Sequence, residues 1–450
     1  MAHSSYGQPT SAASYLPLSS SSHSSIHHDG SVASRLNHIS NYSKQFPLRL
    51  PSLRTCLFSL ALLVSFLTGC AYNSVRSSPK GEWTSEWKLP PERHVSWGDD
   101  YFFHPPLDGE RFPPVPEYNL KGPKDEILSK WVKVQSPVSP LLIPFTRNHK
   151  MVTQTILSYI AAGWPREQII LLDNTGTMDA NPRNLLTEDN PFYLDYERLR
   201  GRYGISILRT PTLLSFSQLQ NFMVATAMSR GWTYFYWSHQ DVAVLSDETA
   251  QPYRSLYEKV IYSLDALNAT MGPNTPHGKR WAARFYNFDW LTLVNVDAIR
   301  NVGIWDPFIP YYNADCDWYE RSRLSGYPID EELPRIADIY DLATHIPDPE
   351  TRFFPSKDEG STLNSKRYRD LREELEKMMT EKNSDSEGRN SWQSEQKGGY
   401  GQPWTYNLKG FQSGWWAAAA RGREVFKNKW GTRQCSIIDA GKTLADEWAS

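Results

Sequence analysis

Cysteine is scarce. Four in 450 residues cannot form a disulfide scaffold, and no CxxC or Cys/His spacing suits structural zinc. Charge of one sign is also lacking. Lys and Arg total 48 against 50 Asp and Glu, a formal net charge of −2, so nothing favours a polyanion, and nucleic acid is excluded as an expected partner. No glycine-rich phosphate loop follows the first buried strand, which argues against phosphoryl chemistry built on such a loop. Residues 1–54 have few aliphatics and much Ser, His and Asn. They bury too little apolar surface to offset chain entropy and read as a disordered tail.

What is present begins with an uncharged apolar run over 55–72, just long enough to cross a bilayer as a helix. Some fifty residues precede it, which argues against a cleaved signal peptide. Basic residues flank both sides, so charge alone does not orient it. Residues 73–137 are rich in Pro, Trp and charge without a clear period and read as a stem. From 138 the pattern alternates between strands and helices. Leu141–Phe145, Ile169–Asp173, 205–208 and 232–237 read as strands. Helices are expected over 149–162 and from a cap at Ser217. This alternation predicts an α/β fold around a doubly wound, mostly parallel sheet, with ligands beyond the carboxyl ends of the strands. The domain so defined spans 138–350. A charged insertion with one helix near 364–382 follows over 351–403, and 404–450 packs back on the domain. Cys316 and Cys435 either pair in an oxidising compartment or remain buried thiols. The 17 Trp suit stacking on sugars and core packing alike.

The strand ends carry the polar residues. Thr146-Arg147 follows the first strand. Asp173-Asn174-Thr175-Gly176 follows the second and can receive hydrogen bonds from a nucleoside, although an ordinary turn uses the same residues. Ser238-His239-Gln240-Asp241 follows the fourth, where an acid beside a histidine can hold a divalent metal or simply form a polar strand exit. Asp315 begins a helix in Tyr312-Asn313-Ala314-Asp315-Cys316-Asp317-Trp318. There the helix dipole favours its anion, which can accept a proton from a hydroxyl; a capping aspartate looks the same.

In their order, these stretches resemble the glycosyltransferase family 2 type of GT-A fold. The Asp173–Asp179 turn, Asn221 on the following helix, the acid Asp241, and Asp315, Asp317, Arg321, Gly326 and Tyr327 fall in the pattern of that family, over about residues 140–330. The resemblance implies an inverting transfer of sugar from a nucleotide-sugar donor to a glycan, glycoprotein or glycolipid hydroxyl. Asp315 would be the catalytic base. Thr146, Arg147, Asp173, Asn174, Asn221, Gln240 and Asp241 would hold the donor. Asp317, Trp318 and Arg321 would bind acceptor or brace the helix. A divalent Mn or Mg would sit on Asp241, with His239 and His345 as further ligands. The sequence departs from the family at two places: His239 stands for the first Asp of the usual DxD, and Ala314 for a usual Glu. The first departure opens the alternative of a catalytically reduced glycan-binding or accessory protein. A membrane-anchored relative of this kind implies a single-pass type II protein of the Golgi or another secretory membrane, with its catalytic domain in the lumen.

Overall fold

In the computed structural model, the residues described are 139–251, 253–271, 280–331, 336–354, 363–384, 396–404 and 407–449. The expected tail, membrane segment and stem lie outside them. Among the described residues no helix is long and apolar enough to cross a membrane.

The centre is a seven-stranded sheet. β1 (Leu141–Phe145), β2 (Ile169–Asp173), β3 (Ser206–Arg209), β4 (Tyr234–Ser238), β6 (Ala283–Phe285), β7 (Leu291–Asn295) and β8 (Ile329–Asp330) lie in the order β3-β2-β1-β4-β7-β6-β8. β5 (Val242–Leu245) and β9 (Asp338–Asp341) form a separate antiparallel pair. The helices are α1 (His149–Ala161), α2 (Phe216–Ser229), α3 (Leu256–Met271), α4 (Val296–Val302), α5 (Ala314–Leu324), α6 (Pro349–Phe353), α7 (Lys366–Ser384) and α8 (Leu408–Trp430).

β1 and β2 are continuous apolar runs because helices cover both faces of the sheet, and Leu141, Leu142, Leu171 and Leu172 are fully enclosed. The sheet is mostly parallel but mixed. β7 runs antiparallel to both β4 and β6. β1 has β2 on one side and β4 on the other, both parallel. The chain leaves β1 in one direction and returns to the other side at β4. This order reversal opens a crevice beyond the ends of β1 and β4.

Two expectations change, and one open alternative is decided. α2 is capped by Ser215, not Ser217: the Ser215 hydroxyl accepts from Gln218 N–H while the Gln218 side chain accepts from Ser215 N–H. This is a reciprocal capping box, and Ser217 lies inside the helix. Residues 366–384 are not a bare surface insertion either. Tyr368, Leu371 and Leu375 of α7 join the core formed by β1, β2 and α1. Lastly, Cys316 and Cys435 are joined in a disulfide. It ties the start of α5 to the C-terminal segment, where Phe426, Trp430 and Ile437 pack on Ile309 and Ala314. Reduction should therefore destabilise the chain by about 2–4 kcal/mol, a typical value for a native disulfide. Melting curves with and without reductant, and of Cys435→Ser, check this. An unchanged midpoint in both would contradict it.

Candidate active site

The crevice contains a cavity of about 200 Å³. Its floor is the polar exit of three strands: Thr146 and Arg147 after β1, Asn174 after β2, and His239, Gln240 and Asp241 after β4. Leu213, Leu214, Leu219 and Trp237 form an apolar side, and Phe411 and Trp415 of α8 close another. The volume is below the roughly 300–1,000 Å³ of ordinary ligand pockets.

Local hydrogen bonds fix the floor. The Gln240 side chain clamps the β1 exit: its Oε1 accepts from Thr146 N–H at 3.0 Å and its Nε2 donates to Arg147 C=O at 2.7 Å. Arg147 is buried, with its guanidinium 4.4 Å from the centre of the Phe411 ring. Asn174 secures the loop before α2, accepting from Leu214 N–H at 2.8 Å and donating to Leu214 C=O at 3.0 Å. At Gly176, φ is +73°, and an added Cβ would come 2.8 Å from Leu213 N, so this turn admits only glycine without distortion.

Asp173 is hydrogen-bonded within the protein. Its Oδ1 accepts from Thr175 N–H at 3.1 Å and Thr175 Oγ1 at 2.6 Å, and its Oδ2 accepts from Tyr196 OH at 2.7 Å. It organises the turn, and neither it nor Asp315 is among the residues that line the cavity. Asn221 is likewise paired within the protein. Both ends of its amide are spent on Trp305, donating to its C=O at 2.8 Å and accepting from its N–H at 2.9 Å.

A second group lies beside the cavity. His239, on the cavity wall, stacks on Trp237 with ring centres 5.1 Å apart. Its Nε2 is buried without a hydrogen-bond partner, 3.7 Å from Asp289 Oδ1. Asp289 was missed by the sequence reading. It sits in the β6–β7 turn, and the antiparallel register of β4 and β7 brings it to His239. Its Oδ2 accepts from Tyr319 OH at 3.1 Å. Burial raises the Asp289 pKa, and His239 partly offsets this.

Asp315 joins this group from the first turn of α5. Asn313 enters the helix with φ 71°, a left-handed conformation that asparagine tolerates. Asp315 keeps partial access to solvent although protein surrounds it closely. Burial, then the neighbouring Asp289 charge, pushes its pKa up to about 6, while the N–H groups of Cys316 and Asp315 and the His239 ring act in the opposite direction. Most of a carboxylate with that pKa is ionised at neutral pH, yet it is far more basic than an exposed aspartate.

Asp317, Trp318 and Arg321 brace α5. Arg321 Nη2 donates to Asp317 Oδ2 at 3.0 Å and to Ile304 C=O at 2.8 Å, and its Nη1 donates to Val302 C=O at 2.6 Å. Trp318 is fully buried against Trp305, with ring centres 4.0 Å apart.

The residues present do not fit the expected divalent metal. Asp241 Oδ2 receives the Lys382 ammonium at 3.0 Å, and its Oδ1 lies 3.9 Å from His239 Nδ1. Among the described residues no three His, Cys, Asp or Glu side chains are placed to share an ion. His345 belongs to another neighbourhood, where burial and Lys150 lower its pKa and where it acts on His149.

The chain matches no family model and no curated protein. Among solved structures, it is similar to S. aureus TarS (10% identity over 48% of this chain and 38% of that one, TM-score 0.30). It is also similar to a cytidylyltransferase from Leptospira borgpetersenii (13%, 53% and 94%, TM-score 0.32). A third is the mannosyltransferase PcManGT from Pyrobaculum calidifontis, solved with GDP-Man and Mn²⁺ (10%, 74% and 94%, TM-score 0.29). Likeness at this level fixes neither the chemistry nor the ligands of this chain.

Proposed function

We propose that the chain is an inverting glycosyltransferase that moves a sugar from a nucleotide-sugar donor to a hydroxyl of a glycan, glycoprotein or glycolipid. One observation carries the reading. A carboxylate of raised basicity, Asp315, stands at a helix start beside His239, and His239 also lines the cavity at the sheet's order reversal. The order of motifs along the sequence supports the same reading.

In the proposed reaction the donor lies across the strand ends with its diphosphate toward Arg147. Asp315 takes the proton of the acceptor hydroxyl as that oxygen attacks the anomeric carbon. The bond from that carbon to the diphosphate breaks, and the nucleoside diphosphate leaves with the electron pair, its charge balanced by Arg147. The disulfide supports a compartment that permits oxidation, in keeping with the proposed secretory-pathway location and lumenal domain.

Screening UDP-, GDP- and dTDP-sugars for a raised melting temperature tests the reading, since a ligand that binds the folded state stabilises it by mass action. No response to any of them, with a working control, would count against it. With the selected donor, kcat/KM should fall roughly tenfold per pH unit below about 6 as Asp315 is protonated, and level off above. A profile flat from pH 5 to 8 would remove Asp315 as the base.

A second reading is a glycan-binding or accessory protein without transfer. The observation favouring it is that Asp173 and Asp241 already spend their carboxylates on partners within the protein. Donor binding without turnover, in both the unaltered chain and Asp315→Asn, would select it.

A further inference from the structure

The cation beside Asp241 is part of the chain. Lys382, in the last turn of α7, is almost completely buried, and its ammonium has three acceptors. These are Asp341 Oδ1 at 2.6 Å, Asp241 Oδ2 at 3.0 Å and Leu342 C=O at 3.1 Å. An ammonium has three N–H donors, so this set satisfies it completely. The helix end adds to the fit, because the carbonyl pole of α7 favours positive charge in its last turn.

The surroundings show how deliberately the position is built. β5 and β9 pair antiparallel with Val242 opposite Asp341, which places Asp241, the residue before β5, next to the end of β9. Leu342 N–H donates to Asp241 C=O at 2.9 Å, so the backbone holds both strand ends in register around the ammonium. Asp241 and Asp341 are themselves buried. Two such carboxylates side by side need a cation, and a buried charge without one is strongly unfavourable.

A divalent metal bound to Asp241 Oδ2 would sit roughly 2.0–2.6 Å from that oxygen, in space the ammonium occupies. The other oxygen lies 3.9 Å from His239 Nδ1, and no third ligand joins them among the described residues.

We propose that the Lys382 ammonium takes the role of a divalent cation at Asp241, so that this strand-end carboxylate is held permanently by a lysine delivered from α7 and takes no metal. Lys382 is thus a positioning residue. It fixes Asp241 and, through the same strand exit, Gln240 and His239 on the cavity floor. The inference deepens the glycosyltransferase reading by making its site independent of metal at Asp241. Its test uses Mn²⁺ alone, without donor or acceptor, so that either can fail without the other.

Mn²⁺ is titrated into the intact chain and its free signal followed by electron paramagnetic resonance, alongside Asp241→Asn and Lys382→Met. The unaltered chain should bind no Mn²⁺ that Asp241→Asn removes. Lys382→Met exposes two carboxylates without their cation. It should gain a Mn²⁺ site, and its lowered melting temperature should rise on adding Mn²⁺. The double variant Asp241→Asn/Lys382→Met should lose that gain. Mn²⁺ bound by the unaltered chain and lost in Asp241→Asn would overturn the proposal, and this comparison stands even if Lys382→Met does not fold. A folded Lys382→Met that gains no Mn²⁺ site would also overturn it, because the lysine would then not be what excludes the metal.

Discussion

Changing Asp315 to asparagine is expected to lower transfer by about 10²–10⁴-fold, the usual contribution of a positioned general base, and to leave donor binding intact. Asparagine keeps the size and most of the hydrogen bonding but cannot take a proton. The effect should therefore appear in kcat and leave the donor-induced rise in melting temperature in place. Stability provides an independent check with a definite sign. The folded-state pKa of Asp315 is raised from 3.8 to about 6, so the folded chain holds this proton more tightly than the unfolded chain. The resulting stabilisation is complete below about 3.8. It is lost as pH rises through the interval to about 6, and at neutral pH ionisation of the buried group is a net burden. An asparagine at this position never ionises, so Asp315→Asn should melt higher than the unaltered chain at about pH 7 and not at about pH 3.5. A residue present only to cap α5 would behave oppositely, since removing an anion from a helix start weakens the helix. Slower transfer with a raised melting temperature marks a catalytic group held against its own preference. Unchanged transfer, whatever the stability, would dismiss Asp315 as the base.

Why some of this site was legible and some not follows from the range over which each feature is determined. The strand exits were readable because a buried parallel strand must be apolar throughout, so the first polar residue after it marks the rim; Thr146, Asn174 and His239 were located in this way. The start of α5 was readable from local composition. The α2 cap was misplaced by two residues although its signal is local, because Ser215 and Ser217 both qualify and only the Gln218 partner three residues on separates them. Asp173 and Asn221 were readable as residues of their elements, but the partners that orient them were not. Those partners are Tyr196, in a short helical turn, and Trp305, in an irregular segment, each distant in sequence from the residue it orients. Asp289 carries no periodic signal. It matters only because an antiparallel neighbour places it at His239, and that strand direction departs from the parallel pattern expected from alternation. Lys382 was least legible. It sits in a helix crowded with charge, and its partner Asp241 is 141 residues away, so in sequence it looks like any solvated lysine.

The largest effect on stability is expected at Lys429. Its ammonium lies 2.8 Å from Asp317 Oδ1, 2.9 Å from Asp306 Oδ2 and 3.3 Å from Glu447 Oε1. Trp430 Nε1 donates to the same Asp317 oxygen at 2.9 Å. Asp317 is fully buried, and Lys429 nearly so. Lys429→Met fills similar space but leaves Asp317 with only Arg321 as a counter-charge and Asp306 without its ammonium. Breaking a buried pair from one side costs about 3–5 kcal/mol, to be read as a shift in the urea midpoint at neutral pH. The sign with pH is also fixed. Burial disfavours the charged lysine, but Asp317 and Asp306 outweigh it and raise the pKa above 10.5. The ammonium therefore contributes fully below 10.5, and its contribution is lost as pH rises through the folded value. The deficit of the variant should persist from neutral into mildly alkaline pH and narrow in strong alkali. Asp317→Asn and Lys429→Met should combine less than additively, because each removes the same contact. Additive losses would mean that the two residues act separately. Because α5 carries Asp315 two residues before Asp317, this junction also links the C-terminal segment to the proposed base. Transfer by the variant should fall more than donor binding does, even where the chain remains folded.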